Sequence, residues 1–468
     1  MGLVAQDARG RAVRRAYSVG RLSRRAFAGG GVLSAAPDTR DLKIVCVGNS
    51  LTVGFGTTYP YPDILSAQLN AGGKTTTVVN AGHNGEGTDQ LATRVATEID
   101  TEHDASRACV LVLQEVLNDL AWDSTTAATA YQHVIDYVDA LADSGWYVIV
   151  LTPTPAQGAG MSGTYETRRQ DFLALVAADP TFSGRVDAIV DTGNDPRLAD
   201  PTNAYWYNAD AIHFKDVSNG VVAALAIAAI RSILPAVSGS IAHVPYPCPV
   251  LDARSGLQDA GGAAPDDGEN VATWVPLVSV EATGNFVQAT DANRPSYNLA
   301  NVAVDLSVDE RMSASATTFT STRYTLAGRV KLTTTGNLMS HIGTAATDVR
   351  FYTSEGPGTH SLYAHDGTNG SLKTMPAGTL SDDAWHTFVA VCDATDASHK
   401  LYVDGSLVST STYLAWNTNP NASGVGTLQI FGTGAGNGVA GKVKALVKSL
   451  VPVNATERAA LEAALSAL

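Results

Sequence analysis

Four short blocks of this sequence hold residue types that acyl transfer requires. Ser50 follows an apolar run (Leu42, Ile44, Val45, Val47) that breaks at Gly48. A serine hydroxyl becomes a nucleophile only with a base beside it. Asp210 and His213 are three residues apart, so one loop can carry both. The carboxylate would orient the imidazole, and the imidazole would take a proton from a nearby serine. Residues 80–85 (Asn-Ala-Gly-His-Asn-Gly) are able to turn backbone N–H groups toward a developing oxyanion. Asn118 falls near the same edge. Each block also has a plain structural reading: Ser50 as a turn residue capping a helix, His213 as a core or surface histidine, Asn118 as a cap.

Such groups need a scaffold. From residue 42 onward, short apolar runs alternate with helical stretches. The pattern predicts strands at 43–47, 76–80, 109–113, 147–152 and 188–190. Helices are predicted at 62–70, 88–99, 125–141, 165–177 and 219–234. This alternation implies an α/β fold with a mainly parallel sheet covered on both faces, and functional loops at the carboxyl ends of the strands. The first three blocks each follow a predicted strand, and the fourth precedes the last helix.

Taken together, residues 48–51, residues 80–85, Asn118 with Asp119, and residues 210–213 resemble the SGNH, or GDSL-like, hydrolases in order and spacing. The resemblance covers about 41–236. It implies a flavodoxin-like three-layer sandwich and a serine esterase with no cofactor and no metal. Ser50 is then the nucleophile, His213 the general base and Asp210 the orienting acid. The Ser50 amide, Gly85 and Asn118 form the oxyanion hole. Two departures stand out: Asn49 occupies a usual Asp position, and Val116 and Leu117 replace glycines that usually precede Asn118. Asn49, His83 and Trp206 are candidate substrate contacts. His83 also reads as a solvated loop histidine, and Tyr205, Trp206 and Tyr207 read either as a sugar-stacking platform or as loop packing. Glu86 and Glu115 raise the thought of paired glycosidase carboxylates, a weaker fit beside a serine and a histidine.

Residues 237–249, rich in Ser and Gly and then Pro, read as a linker. From 250 to 468 helices nearly vanish and short alternating runs predict an all-β jelly-roll sandwich, with a hairpin turn at Asp404 and Gly405. Trp385 with His386, residues 401–405, 271–274 and 293–297 resemble concanavalin-like, laminin-G-like domains over about 250–450. That resemblance implies the fold and leaves sugar binding, protein binding and assembly open. Asp382, Asp383 and Asp404 are either calcium ligands or solvated turn acids. Residues 456–468 predict a closing helix.

The chain has 468 residues and a formal net charge of -14, which argues against nucleic acid as a partner. Apolar runs look too short for a membrane span. Residues 1–40 differ, with eight Arg against Asp7 and Asp38. They resemble a twin-arginine export signal at Ser23 to Phe27, or read as a basic arm docking on an assembly such as a phage tail. The expected protein is extracellular, secreted or part of a virion, and acts on an acylated polysaccharide. The alternative is a tail or receptor-binding protein whose esterase is accessory or inactive. Homo-oligomer formation is left open.

Overall fold

The computed structural model describes residues 38–468 except 122–124, 142–143, 159–160, 162, 281–284, 308–309, 319–322, 335–336, 343–347, 353–359, 366–369, 376–379, 394–397, 413–424 and 432–438. Before residue 38 only Ala5–Gln6 and Ala12–Val13 are described, so the export-signal and docking-arm readings lie outside the described residues. The chain divides into two compact units, one of residues 1–53, 79–199 and 228–237, the other of 54–78, 200–227 and 238–468.

Five strands form the mainly parallel sheet of an α/β sandwich: β1 (Leu42–Gly48), β2 (Thr76–Gly82), β3 (Ala108–Gln114), β4 (Tyr147–Leu151) and β5 (Ala188–Val190). Their order is β2-β1-β3-β4-β5, and β1–β3, β3–β4 and β4–β5 pair in parallel. All seven residues of β3 are buried, which is why its sequence reads as continuous apolar residues rather than alternation. The strand order reverses at β1. An open α/β sheet leaves its ligand crevice at such a switch point, outside the carboxyl ends of the strands.

The helices are α1 (Ser50–Val53), α2 (Tyr61–Ala71), α3 (Thr88–Ala92), α4 (Leu117–Ala121), α5 (Ala127–Ala140), α6 (Tyr165–Ala178), α7 (Phe182–Arg185) and α8 (Asp216–Ile233). The continuous helix expected over 88–99 is instead α3 followed by a π-helical turn, Val95–Ile99. Thr93, Val95 and Thr97 are β-branched and crowd the preceding turn, which weakens a regular helix there. Helix α8 corrects another expectation. Its length and mean hydropathy of 1.4 would suffice to cross a membrane, yet 56% of it is buried within the protein, as in a core helix.

The β-rich part is separate and antiparallel, in keeping with the expected jelly roll, with a nine-stranded and an eight-stranded sheet among the described residues. Strands Ser398–Val403 and Ser406–Thr412 are joined by Asp404 (φ 47°) and Gly405 (φ 80°), the two positive-φ residues that a type I′ turn requires. Helix α9 (Ala455–Ser466) is capped by Asn454 and Glu457 and buries Leu461 and Leu465 against Val389, Val391, Ala445 and Val447. Ile241, Ala242 and Val244 join the same cluster, so the stretch read as a linker is not a free tether. Its apolar residues are spent in the core.

Asp382 and Asp404 are committed as well. His386, 8% exposed, faces Asp404 through Nδ1 at 2.7 Å and Asp382 through Nε2 at 2.9 Å. Carboxylates accept at both ring nitrogens, so both must donate, and that is the imidazolium. Burial pulls the imidazole pKa down, but the hydrogen bonds to Asp404 and Asp382 outweigh it and the net shift is upward. A raised histidine contributes stability below about pH 6.5 and loses it as pH rises through the folded-state value. The stability of wild type should therefore fall, relative to His386→Gln, between about pH 6 and pH 8. Parallel denaturant titrations across that range check this. Equal slopes would remove the imidazolium from the account.

Candidate active site

The first strand leaves the sheet at a crowded point. A Cβ on Gly48 would lie 2.2 Å from the Gln114 carbonyl oxygen at the end of β3 and 2.4 Å from Thr52 Oγ1, so only glycine fits. Asn49 follows, 1% exposed, and its Oδ1 accepts from the Leu51 N–H at 2.8 Å. Its carbonyl accepts from the N–H groups of Thr52 and Val53, both at 3.0 Å. Asn49 thus caps α1, and Ser50 stands at the first turn of that short helix. An Asn performs this capping as well as the usual Asp.

The β2 loop is tied to this turn. The His83 N–H donates to the Gly48 carbonyl at 2.8 Å, and Asn80 Nδ2 donates to the Thr52 carbonyl at 2.9 Å. Gly85 has φ +77°, and the space beside it is open. Asn118, 3% exposed, donates from Nδ2 to the Glu86 carbonyl at 2.9 Å, which brings the β3 loop onto the β2 loop. The second Nδ2 hydrogen is free of that bond by geometry. Asp119 adds a second tie: its Oδ2 accepts from the Thr88 N–H (3.0 Å) and hydroxyl (2.7 Å), while Oδ1 faces His133 Nδ1 at 3.0 Å. Asp89, Asp119 and His133 are close enough to hold a cation, but Asp119 is already occupied by these partners.

Glu115 lies beneath, 2% exposed, and accepts the Asn118 backbone N–H through Oε1 at 3.1 Å. Burial, helped by the Asp119 carboxylate, drives its pKa well above the ordinary range, against the lowering effect of the Asn118 and Val116 amides. Asn49 lowers it only slightly, short of a full hydrogen bond: Asn49 Nδ2 and Glu115 Oε2 are both buried without partners. An Asp at position 49 would bring a second buried acid toward Glu115. The glycosidase idea fails here, because Glu115 has no access to solvent and Glu86 is paired with Arg94.

Val116, where a glycine was expected, has φ +97° and is 1% exposed. A β-branched residue in this region is strained, at about 1–3 kcal/mol.

Asp210 and His213 form one unit. Asp210 Oδ2 lies 2.7 Å from His213 Nδ1, and Oδ1 accepts the N–H groups of Ile212 (3.0 Å) and His213 (2.9 Å). Burial raises the Asp210 pKa, but those amides and the imidazole outweigh it and the carboxyl is held below its ordinary value. An anionic acceptor at Nδ1 puts a proton there and leaves Nε2 as the basic nitrogen.

Two of the expected substrate contacts are occupied elsewhere. His83 Nε2 faces Glu98 at 2.8 Å, so the ring is held by that carboxylate while its side chain stays part-exposed. Trp206 and Tyr207 are 3% and 1% exposed, and Tyr205 bonds the Leu450 carbonyl, with Arg323 over its ring at 5.0 Å. Trp206 and Tyr207 therefore pack the loop and offer no face to a sugar, and Tyr205 is part-buried beneath Arg323. Alternating aromatics do not reveal which way they point.

Residues 46–218 match the family described as GDSL-like Lipase/Acylhydrolase. This segment is a GDSL-like hydrolase domain. Residues 306–445 match the Concanavalin A-like lectin/glucanases superfamily, so the GDSL-like domain is followed by a lectin-type one. Among solved structures, the lipase/acylhydrolase of Enterococcus faecalis is 22% identical, covering 41% of this chain and 96% of that one at a TM-score of 0.34. A putative GDSL-like lipase from Parabacteroides merdae is 17% identical over 42% and 97%, also at 0.34. The CBM40 of the Ruminococcus gnavus IT-sialidase bound to alpha2,6 sialyllactose is 15% identical over 30% and 82%, at 0.26. None of the curated proteins compared matches the chain.

The GDSL-like domain contains two residues whose setting the sequence did not reveal. Glu115 carries no local sign of complete burial, and Phe55, an exposed aromatic beside His213, belongs to no motif.

A carboxyl whose folded pKa is raised contributes stability below its unfolded value near pH 4.3 and loses it as pH rises. The stability difference between Glu115→Gln and wild type should therefore move in favour of Gln from about pH 4 to pH 7, as read by denaturant unfolding. A constant difference would mean that Glu115 ionises normally. Val116→Gly loses a buried side chain but relieves strain, so it should cost about 2 kcal/mol less than Val47→Gly, an equally buried valine without positive φ. Equal costs in chemical denaturation would dismiss the strain.

Proposed function

We propose that the GDSL-like domain is a serine esterase that removes a small acyl group, acetyl in the first instance, from a cell-surface or extracellular polysaccharide. The observation that carries the reading is the His213–Asp210 pair at 2.7 Å, belonging to the same matched segment as a serine at the carboxyl end of β1. Ser50 Oγ attacks the ester carbonyl while His213 Nε2 takes its proton. The tetrahedral oxyanion is met by the N–H groups of Ser50 and Gly85 and by the Asn118 amide. Collapse expels the alcohol, to which His213 returns the proton. Water then attacks the acyl-serine, losing a proton to His213, and collapse releases the carboxylic acid as His213 returns that proton to Ser50 Oγ.

In this proposal the concanavalin-like domain binds the glycan or a partner, and the protein works outside the cell, secreted or on a virion tail. The architecture of a hydrolase joined to a lectin-type domain favours a polymeric substrate over a free small ester.

Hydrolysis of an aryl acetate by wild type, Ser50→Ala and Asn118→Ala tests it. Wild type should turn over, Ser50→Ala should lose at least ~10³-fold, and Asn118→Ala about 10²–10³-fold in kcat. Equal rates for wild type and Ser50→Ala would remove the serine mechanism.

A further inference from the structure

Phe55 is out of place for a core residue. It is 53% exposed, and its ring centroid lies 4.6 Å from that of His213 at an angle of 43°. The other large apolar side chains that stand exposed among the described residues are aliphatic and belong to residues 287–408. The loop that carries Phe55 packs closely on its surroundings and is tied down just beyond the ring. Gly54 (φ +83°) and Gly56 (φ +75°) flank it, and a Cβ on either would meet Pro60 at 2.6 Å or Asn208 Nδ2 at 3.0 Å. Asn208 in turn holds the histidine loop, with its N–H on the His213 carbonyl at 2.8 Å and its Nδ2 on the Phe214 carbonyl at 2.9 Å. Asp216 accepts the N–H groups of Thr58 and Tyr59 at 2.8 and 3.0 Å. Phe55 is thus fixed against His213 with one side of its ring toward solvent.

The mechanism says which part of a substrate would meet that ring. His213 returns its proton to the leaving alcohol, so the alcohol must lie within hydrogen-bond reach of Nε2. A group packed on the imidazole therefore lines the alcohol side. We infer that Phe55 is the floor of the alcohol subsite and stacks on a pyranose ring bearing the ester; this rests on the esterase reading above. A pyranose offers a face of C–H groups to an aromatic ring and a rim of hydroxyls to water, which suits a single exposed ring. A lipid chain requires a continuous apolar surface, and Phe55 has no exposed large apolar neighbour among described residues 38–240.

The test uses two acetates that differ only in the alcohol, ethyl acetate and a methyl O-acetyl-pyranoside, with wild type, Phe55→Ala and Phe55→Trp. The ratio of kcat/KM for the pyranoside to that for ethyl acetate should fall about tenfold in Phe55→Ala, through KM, and be kept in Phe55→Trp. An unchanged ratio, with kcat lowered alike on both esters, would overturn the subsite and leave Phe55 as a support for His213. If wild type hydrolyses neither ester, the esterase reading fails by itself. Calorimetry of the same pyranoside on Ser50→Ala, with and without Phe55→Ala, then decides the subsite: binding lost with the ring upholds it, and binding kept or never seen overturns it.

Discussion

The close contact between Gly48 and the Gln114 carbonyl governs the rest of the GDSL-like domain. It lets β1 end beside β3 with no side chain between them, so the chain can turn at once into α1. The loops after β2 and β3 then meet the turn from either side because the strand order is β2-β1-β3. Three loops distant in sequence become hydrogen-bonded neighbours, through His83 to Gly48, Asn80 to Thr52 and Asn118 to Glu86. A larger residue at position 48 would push the two strand ends apart and undo all three ties.

The site beneath these loops is costly in folding terms. Glu115 is a buried acid, Val116 is held at positive φ, and Asn49 Nδ2 lacks a partner. Strain and buried polarity of this kind persist only where the surroundings over-determine them, and they gather at functional sites. Here they gather around Asn118, whose amide direction they set: its N–H is held by Glu115 and its side chain by Glu86.

The concanavalin-like domain follows a different logic. Among its described residues, Asp382 and Asp404 enclose a buried imidazole, and Asp404 also begins a tight turn. A charged group satisfied on both sides can be buried at modest cost, whereas one with a single partner could not.

The alternation of apolar runs and helices was legible because burial on both faces imposes continuous hydrophobic strands, and β1 to β5 lie where that rule puts them. The Asp404–Gly405 turn was legible for a similar reason, since few residues accept two successive positive φ angles. Asp210 and His213 were readable as a pair because three residues of loop let one side chain reach the other. The broken helix after Ala92, the buried Trp206 and the contact of His83 with Glu98 were not legible, since exposure and partners depend on what the rest of the chain brings alongside. By itself, then, the sequence determined the α/β and jelly-roll classes and the residue types available for acyl transfer, because periodicity and local spacing are properties of neighbours along the chain. Only the tertiary structure decided that Glu115 is buried, that Val116 is strained and that Phe55 lies on His213. Those facts arise from contacts between segments far apart in sequence.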